Sequence, residues 1–242
     1  MKRTRARPAA SCGDGCSDCF GGCSSGQGCG EGSGENKLPV ISLDTPCGVV
    51  QIPSYYQRIA SSPDDPKASA AFAARSKEAL CLFLIYPCPK EEELPYDHPE
   101  ELISSIHEIL GDNQGLVEVN AGKTDHEVPY IYSIVRTLGE NHLQAGYTLT
   151  MNLRFPGGSV CIQGFFDPSG TSGMREAQTL KYAMQKGYVD KDMKGWARDP
   201  YDPAFKKGAL TNFSELPGFD SAFPEHPLSL CRELADLVTM AN

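Results

Sequence analysis

The stretch YTLTMNLRF, residues 147–155, decides the fold because apolar and polar side chains alternate along its whole length. Successive side chains of a β-strand point to opposite faces, so a period of two predicts a strand with one buried face and one wet face. The turn sequence Pro156-Gly157-Gly158 follows it, and the mostly apolar residues 159–166 come next. These two segments are therefore predicted to pair as an antiparallel hairpin.

Three more strands are predicted upstream of this hairpin. Residues 115–120 and 128–138 precede it with short links between them, which is typical of an antiparallel meander. Residues 79–86, ALCLFLIY, are apolar without a break. A continuous apolar run of strand length predicts a central strand that is covered on both faces.

Helices are predicted around these strands. The clearest one begins with Asp97 as N-cap and Pro99 in its first turn, and Gly111 closes it. A second helix is predicted over residues 174–186 and a third over residues 228–240. The apolar stripe of the first helix consists of Leu102, Ile103, Ile106, Ile109 and Leu110.

Together these elements predict an α+β fold in which a mostly antiparallel sheet meander is packed by helices. The domain is expected over residues 37–242, with an irregular wrap over residues 188–227, where periodicity is lost. The alanine-rich residues 67–75 favour a short helix ahead of the central strand. Residues 1–36, rich in glycine and cysteine, are expected to be a disordered tail.

The order strand, helix, long apolar strand, amphipathic helix, antiparallel meander, helix resembles the PsbP-like fold. The resemblance covers residues 49–186 and rests on this order and on the hairpins between residues 130 and 166. It implies a PsbP-like sandwich, and it implies a protein that binds other proteins rather than an enzyme. The family shares no sharp motif with this chain, so none of its functional residues is carried over.

Composition and charge narrow the partner class. The chain has 242 residues and a formal net charge of −9, which argues against a general nucleic-acid binder with a cationic surface. Residues 1–36 carry four basic and four acidic side chains, so the excess negative charge lies on residues 37–242. No apolar run is as long as a membrane span or a signal segment. We expect a cytoplasmic protein whose partner is another protein with a basic surface, not nucleic acid or a membrane.

Four cysteines in the tail, Cys12, Cys16, Cys19 and Cys23, follow the spacing C-x3-C-x2-C-x3-C. Closely spaced thiolates in a reducing compartment suit zinc or an iron–sulfur cluster. The alternative is a low-complexity tail without a cofactor. Its nine glycines make ordering entropically costly, and Phe20 is its one large apolar side chain apart from Met1.

Four residues of the body are candidates for binding a partner or an anion: Arg175, Trp196, Arg198 and Tyr201. Arg175 follows the loop 170–173 at a helix start, where backbone N–H groups could hold an anion; the alternative is an ordinary strand-to-helix turn. Trp, Arg and Tyr are typical of interface hot spots, so the other three could form a binding lip. The structural alternative has Trp196 covering the sheet and Arg198 paired with a carboxylate.

Three functions stay open on this basis. The first is a non-enzymatic protein-interaction module of immunity, chaperone or adaptor type. The second is a metal- or redox-responsive protein that uses the cysteine tail. The third is an enzyme with a carboxylate site near Asp167 and Arg175, which requires a concave polar pocket there. The sequence contains no G-x-S-x-G motif and no H-x3-H spacing in support of the third.

The cofactor alternatives predict different metal contents. We expect no stoichiometric metal in protein purified without oxygen, either in the full chain or in a variant that begins at Lys37. Elemental analysis and the visible absorbance spectrum check this. One zinc ion or one cluster per chain, present only with the tail and lost when Cys12, Cys16, Cys19 and Cys23 become Ser, would make the tail the functional site.

Overall fold

Nine strands and three helices make up the part of the chain that the computed structural model describes, residues 39–140, 144–170 and 173–242. The cysteine tail and its four predicted ligands lie outside these residues. Short 3-10 turns occupy Lys90–Glu92, Phe213–Glu215 and Pro217–Ala222. The strands and helices are β1 (Val40–Asp44), β2 (Val49–Pro53), β3 (Gln57–Ile59), β4 (Ala70–Arg75), β5 (Ala79–Pro87), β6 (Gln114–Lys123), β7 (Pro129–Leu138), β8 (Ala145–Phe155), β9 (Gly158–Pro168), α1 (Pro99–Ile109), α2 (Met174–Gln185) and α3 (Pro227–Ala241).

Seven strands form one antiparallel sheet in the order β3-β4-β5-β9-β8-β7-β6, and β1 pairs with β2 in a separate hairpin. Met151 of β8 lies opposite Tyr132 of β7 and opposite Ile162 of β9, so the meander has the predicted neighbours. The central position of β5, between β4 and β9, is confirmed as well. The predicted α+β class is therefore confirmed. None of the described helices is long and apolar enough to cross a membrane.

The main core lies on the inner face of the sheet, which we define as the face that carries α3. The alternation in β8 turns four side chains to this face, and all are buried: Tyr147, Leu149, Met151 and Leu153. From α3 come the buried residues Leu228, Cys231, Leu234, Ala235 and Val238. Burying a side chain of this size contributes about 1.5–3 kcal/mol, so this layer carries much of the stability.

On the outer face, α1 covers the β6–β7 end of the sheet. Leu102 and Ile106 of α1 are buried against Leu116 of β6 and Ile131 of β7. Because the helix is short, it covers only this end and leaves the β5–β9 region of the outer face to other contacts.

Details of α1 differ from the prediction. His98, not Asp97, is the N-cap residue, and Pro99 occupies the first helical position. Ile109 is 79% exposed, so the apolar stripe is narrower than predicted. The helix closes at Leu110 in extended backbone instead of at Gly111, because the chain turns at once into β6.

The predicted helix over residues 67–75 is wrong, since residues 70–75 form strand β4. This strand pairs with β3 on one side and β5 on the other. Phe72 stacks on Phe83 across the β4–β5 pair, with ring centroids 5.2 Å apart. Ladder hydrogen bonds and this packing outweigh the helix propensity of alanine, which is worth less than about 1 kcal/mol per residue. The helix that stood second in the PsbP-like order of elements is thus absent at that position.

The prediction that β5 is covered on both faces is also wrong. Its inner positions, such as Phe83 and Ile85, are fully buried, but Leu80 on the outer face is 48% exposed. Leu82 and Leu84 on the same side are half-buried. Apolarity on both sides of a strand therefore does not mean that both sides are packed.

The segment 188–226, which we call the strap, connects α2 to α3 along the sheet. Its anchor is Glu215, which is 1% exposed and accepts hydrogen bonds from Arg136 Nη1 at 3.1 Å and Tyr147 Oη at 2.9 Å. The backbone N–H of Asn212 donates to the same carboxylate at 2.6 Å. The carbonyl of Glu215 accepts from Arg232 of α3 at 2.8 Å. One residue of the strap thus joins β7, β8 and α3.

Substitution of Glu215 tests this anchor. We expect Glu215→Ala to lower the free energy of unfolding by about 3–5 kcal/mol, because it leaves the Arg136 guanidinium buried without its counter-charge. Urea denaturation followed by circular dichroism measures the change. Glu91→Ala removes an exposed carboxylate and serves as control, with an expected effect within about 0.5 kcal/mol. Equal stability of the two variants would contradict the role of Glu215.

Candidate functional site

An apolar patch lies on the outer face of the sheet, and we call it the open face: Leu80, Leu82, Leu84, Phe165 and Thr148. The strand register creates it, because Leu82 of β5 lies opposite Phe165 of β9, and Phe165 lies opposite Thr148 of β8. Leu80 is the most exposed of its leucines. An exposed leucine in a central strand gives up burial energy, so a patch of this kind typically marks an interaction site.

Charged side chains border the open face, and Arg75 of β4 lies directly opposite Leu80. Asp167 lies directly opposite Leu80 at one end. At the other end, burial raises the pKa of the Cys161 thiol to about 12, and the nearby Glu92 carboxylate adds to the rise. Arg75 donates to the neutral Ser169 Oγ at 3.4 Å and so keeps its positive charge, and Arg154 lies 3.8 Å from Glu93. Charges of both signs therefore border the open face.

A second concave feature lies on the inner side, where the ends of β7 and β8 meet α2 and the strap. We call it the Trp196 pocket, and its volume is about 440 Å³. Its polar wall contains Arg136, Glu176 and Asn212. Its apolar wall consists of Leu138, Ala145, Gly173, Ala177, Leu180 and Trp196.

Two buried atoms of this wall have no hydrogen-bond partner among the described residues: Arg136 Nε and Glu176 Oε2. Arg136 is 7% exposed, and its Nη1 is held by Glu215 and by the Leu210 carbonyl. Buried polar atoms are paired in the great majority of cases, so two unpaired atoms at one pocket are an unusual feature.

His226 lies beside the other carboxylate oxygen of Glu176, Oε1. The His226 Nδ1 atom accepts from the backbone N–H of Leu228 at 3.2 Å and thereby caps α3. Its Nε2 atom therefore carries the proton and lies 3.8 Å from Glu176 Oε1. Burial raises the pKa of the Glu176 carboxyl, but the interaction with the nearby His226 imidazole and the charge of Arg175 outweigh it, so the pKa is lowered. Glu176 is thus ionised at neutral pH.

Arg175, predicted to bind a partner or an anion, is 1% exposed. Its guanidinium lies 2.9 Å from Asp220 Oδ1 and donates to the Ser214 carbonyl at 2.8 Å and to Ser229 Oγ at 2.7 Å. These donors are used inside the protein, and the guanidinium is not available to a partner in this conformation. α2 begins instead at Gly173 in left-handed backbone, with φ of 96°, as the alternative of a strand-to-helix turn requires.

The residues of the predicted lip do not share one surface. All three lie on the strap, but their surroundings differ: Trp196, Arg198 and Tyr201. Trp196 faces the pocket, whereas the Tyr201 hydroxyl donates to the Val119 carbonyl at 3.2 Å and so ties the strap to β6. Arg198 is exposed. Asp199, which stands between Arg198 and Tyr201 in the sequence, is buried, and its carboxylate lies 3.0 Å from His107 Nε2 of α1.

Asp167 and Arg175 are not brought together. Asp167 lies on the outer side of β9, where its Oδ1 atom is 2.5 Å from the position that a Cβ on Gly146 would take. Arg175 lies on the opposite side of the sheet, against Ser229 of α3. The carboxylate cleft that the third function requires is therefore not formed by these two residues.

Sequence reasoning missed two important residues of these sites. Arg136 follows Tyr130, Tyr132 and Ile134 at alternate positions of β7, so it lies on the same inward face. A charged residue at a position that the alternation predicts to be buried was the signal that could have identified it. The exposure of Leu80 had no signal in the sequence, because it depends on which elements cover the sheet.

No family model matches the chain, and no curated protein matches it. Among solved structures, it resembles the Ran-binding protein Mog1p of Saccharomyces cerevisiae, with 9% identity over 60% of this chain and 84% of that one, and a TM-score of 0.36. It also resembles PA94, a protein of unknown function from Pseudomonas aeruginosa, with 10% identity over 61% of this chain and 92% of that one, and a TM-score of 0.33. Both TM-scores lie below 0.5, and the PsbP-like assignment stays a prediction.

The lowered pKa of Glu176 makes a testable contribution to acid stability. The carboxylate stabilises the fold above its ordinary pKa, and this contribution is lost as the pH falls through the lower pKa of the folded state. We therefore expect Glu176→Gln to reduce the difference in unfolding free energy between pH 7 and pH 3. Urea denaturation at both pH values measures it. An unchanged difference would show that Glu176 makes no net favourable interaction.

Proposed function

We propose that this chain is a non-enzymatic protein-interaction module of adaptor type and that it binds a partner protein through the open face. The observation that carries the proposal is the 48% exposure of Leu80 in a central strand, beside three other large apolar side chains. Full burial of a leucine contributes about 1.5–3 kcal/mol, so covering this patch supplies a substantial part of a binding free energy.

The charge of the chain supports a partner with a basic surface. The net charge of −9 lies on residues 37–242, and Asp167 lies opposite Leu80 at one end of the open face. We propose a partner that presents an apolar centre surrounded by Lys and Arg side chains. Opposite charges at the rim increase the association rate and fix orientation, while the apolar centre sets the lifetime of the complex.

Anionic polymers and lipids fit this surface less well, because phosphate groups would meet the same carboxylates. The proposed partner is therefore a protein in the cytoplasm rather than nucleic acid or a membrane. The metal- or redox-responsive function depends on Cys12, Cys16, Cys19 and Cys23, which lie outside the described residues, and the metal measurement given above is its test.

A charged substitution in the open face tests the proposal. Leu80→Lys places a cation where the proposed partner brings apolar and basic groups, and we expect it to weaken the complex by about thirtyfold. The partner is first captured from an extract of source cells, then purified and titrated calorimetrically. Binding should also weaken as salt is raised, because the rim charges are screened.

Ile109→Lys is the matched control, because Ile109 is an exposed apolar residue of α1 away from the open face. It should bind the partner like the unmodified chain, and both variants should keep the unfolding midpoint. Equal affinities of the two lysine variants would overturn the proposal. A purified chain that forms a dimer lost in Leu80→Lys would replace the second protein with a second copy of this chain.

A further inference from the structure

We propose that a pocket at one end of the open face receives a single arginine side chain of the partner protein. We call it the Asp167 pocket, and its volume is about 340 Å³. The inference rests on the proposed function, because the arginine belongs to the basic surface of the same partner. The wall of the pocket includes five residues on the outer face of the sheet: Thr137, Gly146, Thr148, Phe165 and Asp167.

A glycine in β8 creates the pocket. Gly146 precedes Tyr147, which faces the inner core, so Gly146 belongs to the outer face, and Thr137 of β7 lies directly opposite it. On the other side of β8, Asp167 of β9 belongs to the same face. Neighbouring strands lie about 4.8 Å apart, so the place of one side chain is left empty between Thr137 and Asp167.

The Asp167 carboxylate leans into this empty place. Its Oδ1 atom lies 2.5 Å from the position that a Cβ on Gly146 would take. Asp167 is exposed, and it makes no hydrogen bond or ion pair with any residue that the structure describes. Arg75, on the far side of Leu80, donates to Ser169 Oγ and does not line the pocket. The negative charge and the lone pairs of Asp167 are therefore left for a ligand.

The rest of the wall supplies further acceptors and a ring. The hydroxyls of Thr137 and Thr148 make no hydrogen bond within the described part of the chain, and each can accept one. Phe165 is half-buried and lies directly opposite Thr148, where it offers an aromatic surface. A carboxylate, two hydroxyl groups and an aromatic ring thus line one pocket.

These groups match a guanidinium better than any other side-chain group. A guanidinium carries five N–H donors in one plane, pairs with both oxygens of a carboxylate and stacks on aromatic rings. A lysine ammonium has three donors on a single nitrogen and no flat face. An acidic side chain would be repelled by Asp167, and an apolar one would desolvate the carboxylate without pairing it. The volume is near the lower end of the range for small-molecule sites, so the pocket suits one side chain.

The pocket can be tested without the partner. The isotope-labelled full chain is titrated with the N-acetyl amide of arginine, with that of lysine, and with that of citrulline, which has the shape of arginine but no charge. The amide NMR signals of Gly146 and Thr148 report on binding. We expect saturable shifts with the arginine probe in the millimolar range or tighter. The citrulline probe should bind about tenfold more weakly, because it has no charge to pair with Asp167, and the lysine probe should bind more weakly than the arginine probe.

Two alanine variants give a matched test that keeps every charge. Gly146→Ala places a methyl group where Asp167 Oδ1 leans in, so the carboxylate is turned out of the pocket. Gly218→Ala adds the same methyl group where nothing lies within 4 Å, and it serves as control. The affinity for the arginine probe, followed at Thr148, should fall about tenfold in the first variant and stay unchanged in the second. Because Oδ1 is the end of an exposed side chain, both variants should keep the unfolding midpoint.

Removal of the charge gives a second matched pair. Asp167→Asn keeps the size of the side chain, and it should weaken the arginine probe about tenfold. Asp192→Asn removes an exposed carboxylate on the strap, and it should leave the affinity unchanged. In the unmodified chain the affinity should also fall as salt is raised, because the ion pair is screened.

Three results would overturn the proposal. They are equal affinity of the arginine probe and either of the other two probes; no saturable shift up to about 10 mM; and the same affinity of the two alanine variants for arginine.

The partner complex separates this inference from the proposed function. Gly146→Ala should weaken the complex about tenfold, and Gly218→Ala should leave it unchanged. If Leu80→Lys weakens the complex and Gly146→Ala does not, the open face stands as proposed and this inference alone is wrong. If neither variant weakens it, the proposed function fails as well.

Discussion

The Glu215 carboxylate is the constraint on which the rest of the structure depends. It is buried, and it accepts hydrogen bonds from Arg136 of β7, Tyr147 of β8 and the backbone of Asn212, while its own carbonyl holds Arg232. A buried charge needs several partners to offset its desolvation, and here these partners come from separate elements. Satisfying one carboxylate therefore fixes the path of the irregular strap against the sheet and α3.

Both candidate sites follow from how unevenly the sheet is covered. On the inner side, α3 buries the centre, and the strap held by Glu215 stands off from α2 far enough to leave the Trp196 pocket between them. On the outer side, α1 covers only β6 and β7, so the leucines of β5 stay exposed. The same long apolar strand thus contributes to the core with one face and to the proposed partner surface with the other.

The pattern of apolar and polar residues predicted strands and helices well where one face is exposed to solvent and the other is buried. The alternation in residues 147–155 predicted which side chains of β8 face the core. The bounds of the helices α1 and α2 were predicted to within a few residues. Residues 67–75 were misjudged because alanine propensity is weaker than pairing with β3 and β5. Residues 79–86 were misjudged for a different reason: apolarity shows what a strand can bury, not what lies over it.

The sequence by itself determined the strands of the meander, their antiparallel order and the acidic character of the body, because these depend on neighbouring residues and on composition. Tertiary structure alone decided that Arg175 is turned inward to Asp220 and that Arg136 and Glu176 meet Trp196 at one pocket. It also decided that Leu80 is exposed. These outcomes depend on contacts between segments far apart in the chain, and the free energy of a buried charge or an exposed leucine is set by what surrounds it rather than by its neighbours in sequence.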